Sequence, residues 1–180
     1  LHQLGVRLRS FGAFRYGHHH SLKDGSFLPN DRLHKTSYTP RGGRIIMGNW
    51  IPNDPTLVAQ ILKISSSYSP PPPEGFISPM TWGIEEQVLE RFTGADISKE
   101  KVSFAKETFT FNTRRTATEF LAAFRKYYGP TMNAFEAAEK AGKAADLQME
   151  LETLFNSHNK SPNKDSTLIP ATFLRVTVTV

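Results

Sequence analysis

The C-terminal end of the chain constrains its fold most. Leu174, Val176, Val178 and Val180 alternate with Arg175, Thr177 and Thr179, the period of a strand with one apolar face. A strand needs neighbours for its backbone N–H and C=O groups, and two other segments qualify. Ile45-Ile46-Met47 is a short apolar run after Gly42-Gly43 and reads as a buried strand ending near Gly48-Asn49-Trp50. Val102 to Phe111 is rich in Val, Phe and Thr and reads as a strand. Its apolar residues change phase between Phe104 and Phe109, so a bulge or twist is expected there.

Helical signals lie between these strands. Asn53 and Asp54 ahead of Pro55 give a helix start, and Leu57, Val58, Ile61 and Leu62 then recur at helical spacing. Pro70 to Pro73 stop that helix and form a stiff extended connector. A second helix carries Ile84, Val88, Leu89 and Phe92, with Gly94 placed to end it. Thr116 and Glu119 form a capping box ahead of Phe120, Leu121, Phe124, Tyr127 and Tyr128. Gly129-Pro130 interrupts this helix, and Met132 and Phe135 resume its apolar face. A further helix carries Leu147, Leu151, Leu154 and Phe155, and His158 to Thr167 is loop by composition. The class is α/β. Three strands with helices against them form too small a sheet to cover both faces, so it reads as part of a larger one.

Charge divides the chain in two. The net charge is +5, and the first 44 residues hold eight Lys/Arg against two Asp/Glu together with five of the six histidines, while the rest of the chain holds fourteen Lys/Arg against fifteen Asp/Glu. Residues 1–43 read as an irregular basic segment in which only Leu4 to Phe11 alternates as a short strand. Residues 44–180 read as the α/β part. The chain has no cysteine, which removes disulfides and thiolate metal sites and fits a cytoplasmic protein. No apolar run is long enough to span a bilayer, and no signal core follows Arg7 and Arg9.

Gly42-Gly43-Arg44-Ile45-Ile46-Met47-Gly48-Asn49-Trp50 resembles the turn and fifth strand of class I S-adenosylmethionine-dependent methyltransferases of the small-molecule type. The glycines suit a turn that needs positive φ. Pro70-Pro71-Pro72-Pro73, Ser78-Pro79-Met80-Thr81-Trp82-Gly83 and Phe124-Arg125-Lys126-Tyr127-Tyr128-Gly129-Pro130-Thr131 are similar to later blocks of one branch of that family. The resemblance spans residues 42–180. It implies the C-terminal half of a Rossmann-like methyltransferase sheet, with the three strands as its fifth, sixth and seventh. The last would be antiparallel and inserted between the other two.

The departures carry as much weight. The family holds its cofactor with a glycine-rich turn after the first strand and an acidic residue after the next. No G-x-G occurs in this sequence, and Asp24 and Asp31 follow no apolar strand. Ser10 to Phe14 resembles the fourth strand, but the residues between it and Gly42 lack the amphipathic helix expected there. Residues from about 15 to 41 accordingly read as a different frame or an unrelated exon or start, which the gene's other reading frames test.

The resemblance implies transfer of a methyl group from S-adenosylmethionine to a small-molecule substrate. Such catalysis rests mainly on proximity and in-line orientation, so no catalytic residue is expected in this half. Without the glycine-rich turn the chain is expected to be inactive alone and to bind no cofactor. Candidates for the substrate pocket are Asn49, Trp50, Trp82, Tyr127 and Tyr128, because pockets favour aromatic walls with a few polar groups. Asn49 and Trp50 sit at the C-terminal end of a strand, where open α/β sheets bind ligands. For Trp50 and Trp82 the core is an equal alternative. Tyr127 and Tyr128 are consecutive in a helix and cannot both face one pocket. His18-His19-His20 reads as solvated loop rather than a metal site, since no acidic cluster accompanies it. The alternative function is a non-enzymatic module that self-associates or pairs with a partner chain through an exposed sheet edge. Nucleic-acid binding by the basic segment lacks a recognised motif.

Overall fold

The computed structural model describes residues 42–180. The basic segment apart from Gly42 and Gly43, the short strand at 4–11, the histidine run and the stretch from 15 to 41 lie outside the described residues. The described part is α/β: β1 (Arg44–Trp50), α1 (Leu57–Ser67), α2 (Glu85–Thr93), β2 (Val102–Thr113), α3 (Ala117–Tyr127), α4 (Gly129–Lys140), α5 (Ala144–His158) and β3 (Thr167–Thr179). The strands form one open antiparallel sheet in the order β1-β3-β2, so the last strand is central.

These residues fall into two compact units. One comprises residues 42–52, Pro73–Glu107 and Phe173–Val180, and the other Asn53–Pro72 and Thr108–Thr172. In the first unit β1 pairs antiparallel with Phe173–Thr179, setting Met47 opposite Val176, Asn49 opposite Leu174 and Trp50 opposite Phe173. Alternation puts Ile45, Met47, Leu174, Val176 and Val178 on one face, where they pack with Val88 and Phe92 of α2 and with Val102. Gly42 has φ +82 and donates from its N–H to the Val180 carbonyl at 2.8 Å, so the turn into β1 does use a left-handed glycine.

In the second unit α1, α3, α4 and α5 pack on one another. Leu57, Ile61, Leu121, Phe124, Leu147, Leu151 and Phe155 are fully buried. Phe124 is the hub of an aromatic cluster, with ring centroids 5.2 Å from Phe120, 5.3 Å from Phe155, 5.4 Å from Tyr128 and 5.9 Å from Phe111. The phase change expected in β2 has its cause here. The strand is continuous, but Val102 and Phe104 pack in the first unit while Phe109 and Phe111 belong to the second.

Several sequence expectations need correction. α1 starts at Leu57, not at the Asn53-Asp54 pair. Asn53 is left-handed at φ +60, and the Asp54 carboxylate accepts from the Thr56 N–H at 2.8 Å, closing a turn before the helix begins. The interruption expected at Gly129-Pro130 is there, with α3 and α4 as separate helices, because Pro130 in the first turn of α4 forces a fresh start at Gly129. That restart resets the helical phase, so Thr131, Ala134, Phe135 and Ala138 are buried and Met132 is exposed. β3 begins at Thr167, well before Leu174. Pro170 hid this, since proline lacks a ladder N–H. It is tolerated because pairing with β1 begins only at Phe173.

Candidate functional site

The C-terminal end of β1 is shaped by strand parity. Asn49 lies on the core-facing side with Met47, directly opposite Leu174. Its Nδ2 is buried and has no hydrogen-bond partner among the described residues. Trp50 points to the other face, is 7 % exposed and meets Phe173 edge-on at 6.2 Å.

The 3-10 turn Pro79–Gly83 packs on this strand end. Ser78 starts it by accepting from the Met80 N–H at 3.2 Å, and the Thr81 hydroxyl donates back to the Ser78 carbonyl at 2.7 Å. A Cβ added at Gly83 would lie 2.0 Å from the Trp50 carbonyl oxygen, so only glycine allows this approach. Trp82 is half-buried, meeting Phe92 edge-on at 6.3 Å with the Arg91 guanidinium 4.6 Å from its ring centroid. Arg91 also donates to the Thr81 hydroxyl at 2.6 Å and to the Thr81 carbonyl at 3.3 Å. Desolvation holds the guanidinium below its ordinary value, against the raising pull of Glu90. Asn49, Trp50 and Trp82 thus belong to one unit and gather around one strand end.

Tyr127 and Tyr128 belong to the other unit and diverge from each other. Tyr127 is 57 % exposed with the Lys126 ammonium 5.1 Å from its ring. Tyr128 is buried at the junction of α3 and α4 against Phe124, and desolvation pushes its phenol up to about 12.

A second feature escaped the sequence reading. Where α1 ends, an open cleft of about 450 Å³ is lined by Tyr68, Ala138, Ala141, Lys143, Asp146 and Glu150 among others. The Tyr68 hydroxyl donates to Glu150 Oε1 at 2.7 Å. That bond, followed by desolvation and the charges of Glu150 and Asp146, raises the phenol to about 12. The available signal was the spacing of Lys143, just ahead of α5, from Asp146 and Glu150 within it, which also describes any solvated helix face.

Chemically, the bond to Glu150 favours the neutral Tyr68 phenol, which works against its use as a nucleophile. No group of three His, Asp or Glu side chains that could hold a metal occurs among the described residues. His158 has a structural position. Its ring nitrogens lie 3.0 Å from the Leu154 and Pro55 carbonyl oxygens, joining the end of α5 to the approach to α1.

S-adenosylmethionine needs donors for its carboxylate and an acceptor for its ribose hydroxyls. At the end of β1 the described residues offer an unpartnered amide, an indole and a backbone carbonyl closed over by Gly83. The nearest carboxylate in sequence, Asp54, is committed to Thr56. These residues do not fit that cofactor. No helix among the described residues is long and apolar enough to cross a membrane. Compared with protein-family models and with curated proteins, the chain matches none.

Proposed function

We propose that residues 42–180 are the C-terminal half of a class I S-adenosylmethionine-dependent methyltransferase domain acting on a small molecule. The observation that carries this reading is the strand order β1-β3-β2, with the last strand in the centre and antiparallel to β1. The sequence resemblance implies the same arrangement of the fifth, seventh and sixth strands. The left-handed Gly42 before β1 adds to it. On this reading Asn49, Trp50 and Trp82 lie on the substrate side, and the cofactor is held by residues that this sequence does not contain.

Isothermal titration calorimetry of the purified chain with S-adenosylmethionine and S-adenosylhomocysteine tests it. No heat is expected at millimolar ligand from the chain alone. Restored binding is expected when a separately expressed N-terminal half from a small-molecule methyltransferase is added. Micromolar binding by the chain alone would sink the split of roles proposed here.

A second reading has its own observation. β1 and β2 are the outer strands of the sheet, and β1 pairs only with β3 among the described residues. A strand with one unpaired side is a template for another chain, so a non-enzymatic module that self-associates or binds a partner fits as well. Light scattering after size exclusion separates the two readings. A stable dimer favours the module, and a monomer favours the incomplete enzyme.

A further inference from the structure

The loop between α5 and β3 contains Lys160-Ser161-Pro162-Asn163-Lys164. Lys160 and Pro162 to Asp165 are exposed, and Ser161 is half-buried. The whole loop lies within the second unit. Asn159 anchors it. Its Oδ1 accepts from the Ser161 N–H at 3.0 Å and the Leu168 N–H at 2.8 Å, while its Nδ2 donates to the Ser166 carbonyl at 3.0 Å. The Ser161 Oγ accepts from the Asn163 N–H at 3.2 Å and lies 2.6 Å from the Ser166 Oγ. The anchor holds the loop's two ends together, and the exposed residues between them are free to meet another surface.

A hydroxyl followed by proline and then by a cation three positions on is a distinctive substrate. Proline drives the residue before it toward extended backbone, the form a chain takes in a kinase cleft. It also has no N–H, so a cleft that offers no acceptor there loses nothing with proline. Any other residue would bury an unpaired amide. The sequence has four Ser-Pro or Thr-Pro pairs, at Thr39, Ser69, Ser78 and Ser161. Only Ser161 has a basic residue three positions on, because Gly42, Pro72 and Thr81 stand at that place after the others. Ser78 is further committed to starting the 3-10 turn.

We propose that Ser161 is the phosphoacceptor for a proline-directed serine/threonine kinase that reads Lys164, and that the bond to Ser166 holds the hydroxyl back until the loop opens. The Ser161 Oγ attacks the γ-phosphorus of ATP. The bond from that phosphorus to the β–γ bridging oxygen breaks with its electron pair, ADP leaves, and the hydroxyl proton passes to the kinase's catalytic carboxylate. The product has about −2 of charge between Lys160 and Lys164 in sequence, in a loop whose one carboxylate is Asp165. It also ends the bond to Ser166 in its present form.

The test incubates the purified full chain with a cyclin-dependent kinase–cyclin complex and ATP, and maps the product by tandem mass spectrometry. Phosphate is expected on Ser161 as the dominant site. Lys164→Ala, on an exposed side chain, should slow the initial rate about tenfold or more, with unchanged circular dichroism. Ser166→Ala frees the hydroxyl and should raise that rate. An unmodified Ser161 overturns the proposal, as does a rate that Lys164→Ala leaves unaltered. Incorporation that persists at the full level in Ser161→Ala assigns the modification to another hydroxyl and overturns it too. An unchanged rate in Ser166→Ala overturns the restraint assigned to that bond.

Discussion

The carbonyl oxygen of Trp50 occupies the place where a side chain on Gly83 would begin, 2.0 Å from an ideal Cβ. The obstacle is backbone at the end of a paired strand, so it cannot rotate away as a flexible side chain would. Gly83→Ala must separate the 3-10 turn from β1, and a loss of about 3 kcal/mol is expected. Gly142 is the control. It has φ +69 but open space around its Cβ position, so Gly142→Ala meets backbone strain alone, about 1 kcal/mol. Urea denaturation of both variants checks the ranking. Equal midpoints would show that the contact at Gly83 is not the constraint described.

Arg91 covers Trp82, and this can be read by fluorescence. Its guanidinium lies over the indole and also bonds both the hydroxyl and carbonyl of Thr81. In a Trp50→Phe background, where emission among the described residues comes from Trp82, Arg91→Ala should red-shift the spectrum and raise iodide quenching. The stability loss should be about 1 kcal/mol. An unchanged spectrum would mean that Arg91 does not screen this ring.

Buried hydroxyls divide into two kinds with opposite expectations. Thr131 is fully buried, and its hydroxyl has no hydrogen-bond partner among the described residues. Thr167 is equally buried but donates to the Arg115 carbonyl at 2.8 Å. Thr131→Val removes a desolvated group that gains nothing, so stability should hold or rise by up to about 1 kcal/mol. Thr167→Val leaves a carbonyl without its donor and should cost about 1–2 kcal/mol. Thermal unfolding of the pair decides, and a destabilised Thr131→Val would point to an unseen partner at that hydroxyl.

Alkaline titration should show two late tyrosines. Tyr68 is raised to about 12 chiefly by its bond to Glu150, and Tyr128 to about 12 by burial. For both groups the neutral form is favoured by the fold. Their stabilisation is therefore complete below pH 10, the ordinary value, and is lost as pH rises from 10 through about 12. Glu150→Ala should return Tyr68 toward its ordinary value while leaving Tyr128 where it is. Phenolate absorbance at 295 nm follows this, and a late transition unmoved by Glu150→Ala would separate Tyr68 from its assigned cause.

Local signals carried much of this fold, and they failed where distant contacts decide. The Thr116–Glu119 capping box was legible because both partners sit within one turn, and the structure has it at 2.9 and 3.2 Å. The alternation of Leu174 to Val178 was legible because each apolar residue meets a core. The early start of β3 was not, since whether Pro170 is tolerated depends on where β1 begins to pair. Met132 was misread because the restart at Gly129 changed which residues face inward. The Tyr68–Glu150 bond joins residues far apart in sequence, and neither flank marks it. Of the candidate pocket residues, Asn49 and Trp50 are legible by their position at one strand end and Trp82 only by its aromatic type, and the turn that carries Trp82 packs on that strand end. Tyr127 and Tyr128 were flagged by type alone, and the structure turns them apart.

Phe124 tests whether the second unit has one core or several small ones. Its ring meets Phe111 of β2, Phe120 of its own helix, Phe155 of α5 and Tyr128 at the α3–α4 junction. No other ring in that cluster touches so many elements. Phe124→Ala empties a ring-sized space that rigid aromatic neighbours cannot fill by small rotamer changes, so a loss of about 3–5 kcal/mol is expected. Phe109→Ala, on a ring that is 43 % exposed and paired only with Phe111 among the described rings, should cost about 1 kcal/mol. The m-value adds a second readout, because it tracks the surface exposed on unfolding. Loss of stability with an unchanged m-value means that α3, α4 and α5 still unfold as one body around the remaining rings. A lower m-value in Phe124→Ala means that the ring was what joined them, and that β2 and the α3–α4 junction part from α5 once it is gone.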